Sequence, residues 1–275
     1  MESFLRIEDV LNEELRKKVR EVIEVLKRYE KVIVAFSGGV DSTLLLVLSK
    51  LALEDKVVAV TIDYPYVPQR DVEEAKRIAS SLNVEHIVVK DNSLLRDEDF
   101  LVNPHNRCYL CKKRMINILK SIAKERGARH VVDGTNKDDL YEDRPGLKAI
   151  REEGVKTPLA DVGIGKEDVR AILRNLNFKL WSKPPTTCLL TRIPFGERIS
   201  LDKIRRIGEA EESIREIFGE DVTLRVRDHG EIARIEVEEG FMRYVVERRE
   251  EIVSKLKRLG YKFVTLDLEE YGRHH

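Results

Sequence analysis

The sequence predicts an α/β fold, a parallel sheet with helices on both faces, followed by a small C-terminal α+β domain. Three observations predict it: strand and helix patterns alternate along most of the chain, polar residues and glycines follow the strand ends, and the rhythm changes after a proline-rich turn near residue 185. Strands connected by helices run parallel in one sheet, and such sheets are covered on both faces.

The individual elements follow from hydrophobic periodicity. In the first part, helices are predicted at residues 10–29, 68–82, 108–126 and 166–175. Strands are predicted there at residues 31–36, 56–62, 85–89 and 129–133. Beyond the turn, we expect helices at 201–218 and 241–259 and strands at 222–227, 232–237 and 263–268. We therefore expect one domain over residues 1–184 and a second over 185–275.

Composition narrows the class of protein. The 275 residues carry 50 basic and 50 acidic side chains, so no net charge favours binding to nucleic acid or to a membrane surface. No apolar run reaches the length of a membrane span, and the charged start does not resemble a secretion signal, so we expect a cytoplasmic protein. Charged residues make up 36% and Gln69 is the single glutamine, a balance that hints at a thermophile.

The most informative motif is Ser37-Gly-Gly-Val-Asp-Ser42, which lies between a predicted strand and a predicted helix. Small residues let backbone N–H groups approach an anion, and the helix start adds partial positive charge. The Walker pattern is absent, because no lysine follows the glycines. The motif instead resembles the pyrophosphate loop (PP-loop) of ATP pyrophosphatases. That resemblance implies that Asp41 lies near metal-bound pyrophosphate and that Ser37 and Ser42 donate hydroxyl groups.

Other polar residues follow strand ends, where ligands of parallel sheets bind. Asp133-Gly134 ends one predicted strand, and Gly134 is expected to line the nucleotide pocket unless the pair is a plain turn. Asp138, Asp139 and Asp143 are candidates for Mg²⁺, with a solvated acidic loop as the alternative. The predicted ATP-binding residues are Ser37, Gly38, Gly39, Asp41, Ser42 and Gly134.

The chain has three cysteines, Cys108, Cys111 and Cys188. Cys108 and Cys111 form a CxxC at a predicted helix start, where the helix dipole favours thiolates. A redox pair and a zinc site completed by His105 or His130 are both open. Alternatively, the three thiolates hold three irons of a [4Fe-4S] cluster and leave the fourth iron for an exogenous ligand.

Together these residues resemble the LarE family, ATP-dependent sulfur transferases of nickel-pincer cofactor synthesis, over nearly the whole length. Further motifs carry the resemblance: residues 103–113, 133–139, 143–148, 188–196, 224–229 and 261–268. It implies an adenine nucleotide α-hydrolase-like PP-loop domain, ATP and Mg²⁺ as cofactors, and adenylylation of a pyridinium dicarboxylate mononucleotide. It also implies a sulfide or sulfur donor as partner, and a homo-oligomer by analogy.

The resemblance also assigns residue roles. Cys188 occupies the position of a cysteine whose sulfur some members sacrifice, leaving dehydroalanine. Members with an added CxxC carry a three-cysteine [4Fe-4S] cluster instead, and with Cys108 and Cys111 this chain resembles that type. Arg192 is a candidate for orienting the substrate, and Glu211 matches a glutamate tied to catalysis. Arg225 and Arg227 share a strand face, which suits a substrate phosphate, with cross-strand ion pairs as the alternative.

Three other functions would account for part of the sequence. A tRNA thiolation enzyme also pairs a PP-loop with cysteines, but it needs a basic RNA-binding surface that the balanced charge does not suggest. An amide-forming ligase of the NAD or GMP synthetase kind needs no cysteines. A non-catalytic nucleotide sensor would not need Asp41. The sequence therefore favours a sulfur-transferring enzyme acting on a small nucleotide.

Overall fold

The computed structural model describes residues 10–142, 144–183, 186–219 and 222–272. Their backbone contacts group into two compact units. Among these residues, the first unit contains 10–64, 69–91 and 106–186, and the second contains 65–68, 92–105 and 187–272. Two short early segments thus belong with the C-terminal part of the chain.

The first unit is built on a four-stranded sheet in which every neighbouring pair is parallel, with strand order β3-β2-β1-β4. Its strands are β1 (Val32–Ala35), β2 (Val57–Asp63), β3 (Glu85–Lys90) and β4 (His130–Asp133). All four residues of β1 are buried, as expected for a strand covered on both faces. The predicted doubly covered parallel sheet is confirmed.

Helices flank this sheet. They are α1 (Glu13–Lys27), α2 (Val40–Leu53), α3 (Gln69–Ser81), α5 (Arg107–Glu125), α6 (Pro145–Glu152), α7 (Pro158–Val162) and α8 (Lys166–Asn175). Helix α1 shows how sequence sets position: Asn12 caps its first turn by accepting from Leu15 N at 2.9 Å, and Val19, Val22 and Leu26 share one buried face.

The second unit contains the short helix α4 (Glu98–Leu101), then α9 (Leu201–Phe218), α10 (Glu239–Glu247) and α11 (Arg249–Arg258). Its sheet comprises β5 (Leu224–His229), β6 (Ile232–Val237) and β7 (Phe263–Leu266). Strands β5 and β6 are antiparallel, and β7 runs parallel to β6. Alternation along β5 buries Leu224, Val226 and Asp228 on one face, as the sequence pattern predicts.

The predicted single helix over 241–259 is wrong, because the helix breaks at Arg248, where φ is −99° and ψ is 17°. No glycine or proline marks the break. Val245 of α10 and Ile252 and Leu256 of α11 are buried in the same small core. Each of the two helices therefore packs its own apolar side chains into that core. Within the described part of the chain, no helix is long and apolar enough to cross a membrane.

Candidate active site

The PP-loop lies where the strand order of the large sheet reverses. The chain passes from β1 to β2 and β3 on one side, then returns to place β4 on the other side of β1. Ala35, the last residue of β1, pairs with Asp133, the last residue of β4. Residues 37–42 and Gly134 therefore leave neighbouring strands at the same carboxyl edge. Such an edge at a strand-order reversal is where open α/β sheets bind ligands.

The loop conformation depends on Gly38. Its φ is +70°, and a Cβ at this position would lie 2.9 Å from the backbone nitrogen of Ala75 in α3. Gly39 caps α2, so the first amides of that helix point toward the loop. The hydroxyl oxygens of Ser37 and Ser42 lie 3.1 Å apart, and Ser42 also donates to Gly39 O at 3.1 Å. The backbone N–H groups of Ser37 and Gly39 also donate to these hydroxyls, each at 3.3 Å, so the two serines close the loop. The closed loop lies at the start of α2, where the helix dipole favours an anion.

Gly134 brings β4 against the start of α2. A Cβ on Gly134 would lie 2.8 Å from Ser42 N, so the close approach requires glycine. Two residues later, Asn136 donates from Nδ2 to Asp41 Oδ1 at 3.1 Å. Burial, opposed by this hydrogen bond and reinforced by the nearby Asp139, raises the pKa of Asp41 above 3.8. A ligand that brings positive charge to the loop would favour the carboxylate form.

Asp133, beside it, has the opposite electrostatic setting. Thr135 donates to Asp133 Oδ1 from its backbone nitrogen at 2.9 Å and from its hydroxyl at 2.6 Å. Lys112 Nζ lies 3.3 Å from Asp133 Oδ2. Burial alone would raise the pKa of Asp133, but the Lys112 charge and the Thr135 hydrogen bonds outweigh it and lower the pKa below 3.8.

The acidic loop after β4 is engaged within the protein. Asp138 Oδ2 accepts from Lys166 N at 2.6 Å. Asp139 accepts from Asn136 N at 3.2 Å and pairs with Arg144 at 3.1 Å. These bonds give both carboxylates a structural role next to Asn136. Asp143, the third predicted Mg²⁺ candidate, lies outside the described residues.

Cys108 and Cys111 lie in the first turn of α5, and neither forms a disulfide bond. Cys108 is exposed and Cys111 is half-buried, so the pair is accessible. Lys112, which follows Cys111, is the residue that reaches Asp133. The CxxC turn is therefore anchored at the edge of the sheet that carries the PP-loop. Across the described ranges, no group of three or more His, Cys, Asp or Glu side chains is arranged to hold a metal ion.

Cys188 lies in the second unit, immediately before a 3₁₀ turn formed by Leu189–Arg192. The Arg192 side chain folds back under it, and its Nη1 atom donates to the carbonyl oxygens of Thr187 at 3.1 Å and of Cys188 at 3.2 Å. Nη1 also lies 2.7 Å from the hydroxyl of Thr191. Arg192 is only 3% exposed. The guanidinium therefore fixes the backbone that carries the Cys188 thiol.

Glu211 holds Arg192 in turn. Its Oε1 accepts from Arg192 Nε at 2.7 Å and from Val226 N at 3.2 Å, which ties α9 to β5. Arg215 donates to Glu211 Oε2 at 3.4 Å. Glu211 is 1% exposed, so this is a buried charged cluster with each carboxylate oxygen satisfied. The chain of contacts runs from Glu211 through Arg192 to Cys188.

Arg225 and Arg227 lie on one face of β5, as predicted. Arg227 pairs with Glu236 and donates from Nη1 to Thr191 O at 3.1 Å, so it contacts the Cys188 segment. The Arg225 guanidinium instead lies over the ring of Tyr271, with 4.4 Å from Cζ to the ring centroid. The alternative of cross-strand pairing thus describes Arg227 in this structure, while Arg225 has an aromatic partner.

The structure brings the predicted residues together in two sets. The first unit holds Ser37, Gly38, Gly39, Asp41, Ser42 and Gly134, with Cys108 and Cys111. The second unit holds Cys188, Arg192, Glu211, Arg225 and Arg227. Sequence reasoning missed Tyr271, because a lone tyrosine after the last strand carries no motif. It also missed Thr187 and Thr191, because nothing in the sequence indicates that their hydroxyls contact Arg192.

Comparison with known proteins agrees with this geometry. The model of the NAD synthase family matches residues 10–194. An uncharacterised protein of Methanocaldococcus jannaschii is 38% identical over 88% of this chain and 91% of its own. Another of Synechocystis sp. is 35% identical over 94% of this chain and 96% of its own.

A third relative has a named activity. The pyridinium-3,5-bisthiocarboxylic acid mononucleotide synthase of Lactiplantibacillus plantarum is 34% identical over 92% of this chain and 91% of its own. This match covers too much of the chain to be confined to the first unit, whereas the NAD synthase model ends at residue 194, before Glu211, Arg225 and Arg227. With a PP-loop at the strand-order reversal and a cysteine fixed by a buried arginine, the chain belongs to the LarE family and is an ATP-dependent sulfur-transferring enzyme.

Proposed function

We propose that the protein activates a carboxylate of a pyridinium dicarboxylate mononucleotide with ATP and replaces the adenylate with sulfur, as a step in nickel-pincer cofactor synthesis. The observation that carries the proposal is the near full-length similarity to the mononucleotide synthase, combined with an intact PP-loop. Carboxylates are poor electrophiles, so activation must precede sulfur transfer. An acyl-adenylate supplies AMP as the leaving group.

In the first step, a carboxylate oxygen attacks the α-phosphorus of ATP, and the bond to the β-phosphate oxygen breaks. Pyrophosphate leaves toward the amides of residues 37–42, with the Ser37 and Ser42 hydroxyls as further donors. Asp41 is the carboxylate suited to Mg²⁺ at this loop, because Oδ1 accepts one amide hydrogen bond and no cationic side chain pairs with it among the described residues. When bound, Mg²⁺ would offset the negative charge that develops on the pyrophosphate.

In the second step, a sulfur nucleophile attacks the acyl carbon and the bond to AMP breaks. Cys188 is the candidate thiolate in the second unit, and Arg192 holds its backbone. If the Cys188 sulfur itself stays on the product, the proton on Cα of Cys188 is removed, the Cβ–S bond breaks with the thiocarboxylate as the leaving group, and residue 188 becomes dehydroalanine. The product is then a thiocarboxylate, and each polypeptide reacts once.

For repeated turnover, we propose that Cys108, Cys111 and Cys188 bind a [4Fe-4S] cluster. In support, Cys108 and Cys111 form no disulfide bond, Cys108 is exposed and Cys111 half-buried, and the two lie one helical turn apart. When bound, such a cluster would supply an open iron that carries exogenous sulfide. Zinc at the cysteines, or no metal, is the competing hypothesis. Anaerobic purification with iron and acid-labile sulfide analysis decides between them: a colourless, iron-free protein containing zinc contradicts the cluster.

We assign the substrate phosphate to Arg225 and Arg227. Support comes from their common strand face, from the Arg227 contact with the Cys188 segment, and from the absence of an acceptor for Arg225 Nε among the described residues. Two guanidiniums on one face suit a phosphate, since each donates in a planar fork.

The activation step is tested by ATP–pyrophosphate exchange. We expect exchange that depends on the pyridinium dicarboxylate mononucleotide and that is lost in Asp41→Asn. Transfer RNA and the decarboxylated nucleotide serve as competing substrates. Exchange that requires tRNA, or that runs equally without any carboxylate, contradicts the proposal.

A further inference from the structure

The segment after β7 places an aromatic ring on the predicted phosphate-binding face. Asp267 N donates to Ile235 O at 2.8 Å and Tyr271 N donates to Val237 O at 3.0 Å, so the segment stays attached to β6 beyond the last strand. These two backbone bonds fix where the Tyr271 ring lies. The ring meets Arg225, whose neighbour across the ladder is Glu236.

Arg225 differs from Arg227 and Arg234 in its partner, which is an aromatic ring instead of a carboxylate. Glu236 Oε1 accepts from both Arg227 and Arg234. Among the described residues, the buried Nε atoms of Arg225 and Arg234 both have no hydrogen-bond acceptor, but Arg234 pairs with Glu236 through Nη2. A guanidinium held by a ring instead of a carboxylate keeps a charge that no acidic side chain neutralises, so it can attract another anion. The ring–guanidinium distance of 4.4 Å is within the range of a cation–π interaction.

Tyr271 is also close to the reactive cysteine segment. Arg192, which binds the Cys188 carbonyl, interacts electrostatically with both Cys188 and Tyr271. Arg227 donates to Thr191 O in the same segment. Tyr271 is therefore within electrostatic range of Arg192, and its ring contacts Arg225, two arginines that the proposed function uses.

We propose that Tyr271 is a positioning residue that holds the Arg225 guanidinium for an anionic group of the substrate. The inference rests on the proposed function, in which Arg225 binds the nucleotide phosphate. Tyr271 acts through its ring face on Arg225, so an aromatic replacement should preserve the effect and an aliphatic replacement should remove it. Its role is to set affinity for the anion, and the activation chemistry on ATP should be unaffected.

The test compares Tyr271→Phe, Tyr271→Leu, Arg225→Ala and the double variant Tyr271→Leu/Arg225→Ala in ATP–pyrophosphate exchange, with the pyridinium dicarboxylate mononucleotide as substrate. Tyr244→Leu is the matched control, because Tyr244 is a tyrosine of the same unit whose ring packs at a tilt against Phe241 instead of against an arginine. Urea unfolding midpoints equal to that of the parent protein establish that each variant is folded.

We expect Tyr271→Leu to raise the KM for the nucleotide about tenfold with little change in kcat, from the strength of a partly buried cation–π contact. Tyr271→Phe and Tyr244→Leu should match the parent. Since Tyr271 acts through Arg225, the double variant should have the KM of Arg225→Ala alone, which a general structural role would not produce.

Two results overturn the inference in distinguishable ways. If Arg225→Ala raises KM but Tyr271→Leu does not, or if the double variant shows additive losses, Tyr271 does not position Arg225 while the phosphate assignment stands. If Arg225→Ala leaves KM unchanged, the phosphate assignment itself fails and the role of Tyr271 falls with it.

Discussion

At the scale of single residues, the two carboxylates at the carboxyl edge of the large sheet have opposite electrostatic settings. Burial dominates Asp41 and raises its pKa above 3.8, whereas Lys112 and Thr135 lower the pKa of Asp133. At neutral pH the Asp41 charge therefore lowers the stability of the folded protein, and the Asp133 charge raises it. A site that keeps an unfavourable carboxylate is consistent with its use toward a ligand.

We predict opposite stability changes for Asp41→Asn and Asp133→Asn in the ligand-free protein. Below pH 3.8 Asp41 is protonated in both the folded and the unfolded protein. As the pH rises through 3.8 toward the higher pKa of the folded protein, the unfolded protein loses this proton first, and the Asp41 charge then destabilises the folded protein. Asp41→Asn should therefore raise the urea midpoint at pH 7, with the gain vanishing near pH 3.8. The Asp133 contribution is present above pH 3.8 and is lost as the pH falls through its lower folded pKa, so Asp133→Asn should lower the midpoint at pH 7. Shifts of the same sign would contradict the assignment.

The buried cluster around Glu211 gives a second prediction at this scale. Glu211→Gln leaves Arg192 buried without its carboxylate and leaves Arg215 only the more exposed Glu212, 3.9 Å away, so we expect a loss of about 3–5 kcal/mol in the free energy of unfolding. Glu212→Gln is the control, because its side chain is 51% exposed on the same helix. It should change stability by less than about 0.5 kcal/mol. Equal losses in the two variants, measured by urea denaturation, would contradict the role of Glu211.

At the scale of elements, hydrophobic periodicity predicted the helices and strands that are long enough to show a clear period. Helix α8 begins and ends where the sequence predicts, and β1 and β4 agree to within two residues. The helices α4, α6 and α7 were missed, since their eight or fewer residues span too few turns for a period. The PP-loop was predictable because its glycines are dictated by geometry: Gly38 needs a positive φ and Gly134 needs a close approach.

Gly38 should therefore tolerate a side chain less well than a glycine that has a positive φ but open space around it. Gly127 has a similar φ, +65° against +70°, but no atom lies within 4 Å of an added Cβ. Gly127→Ala should cost about 1–2 kcal/mol in stability from its backbone conformation alone. Gly38→Ala should cost more, because its methyl group also meets the Ala75 backbone, and it should lose ATP–pyrophosphate exchange. Exchange retained in Gly38→Ala would show that the loop tolerates displacement.

At the scale of the whole molecule, the grouping of segments was beyond sequence reasoning. Local patterns place a boundary near residue 185, but residues 65–68 and 92–105 belong to the second unit. Asn103 Nδ2 donates to Pro194 O at 2.7 Å, Leu189 N donates to Tyr66 O at 2.8 Å, and Ile199 N donates to Leu101 O at 2.9 Å. Contacts between residues so distant in sequence leave no local signal. For the same reason, the sequence did not predict the contact between Tyr271 and Arg225.

A fragment beginning at residue 187 should consequently fail to fold cooperatively. It would lack Asn103, Leu101 and Tyr66, whose backbone and side-chain bonds hold residues 189–199 in the intact chain. It would also lose Phe100, which is fully buried, and burial of one such side chain contributes about 1.5–3 kcal/mol. Far-UV circular dichroism during urea denaturation tests this. A sharp transition at the midpoint of the intact protein would contradict it.

The central claim is that ATP-activated carboxylate receives sulfur. Its most direct test is an anaerobic reaction of the full-length protein with ATP, Mg²⁺ and the pyridinium dicarboxylate mononucleotide, with and without ³⁴S-sulfide. Mass spectrometry then follows the product and the Cys188 peptide. The account predicts an ATP-dependent thiocarboxylate that carries ³⁴S, with Cys188 intact. A product formed without ATP, or no sulfur-containing product from an enzyme that exchanges pyrophosphate, would contradict it.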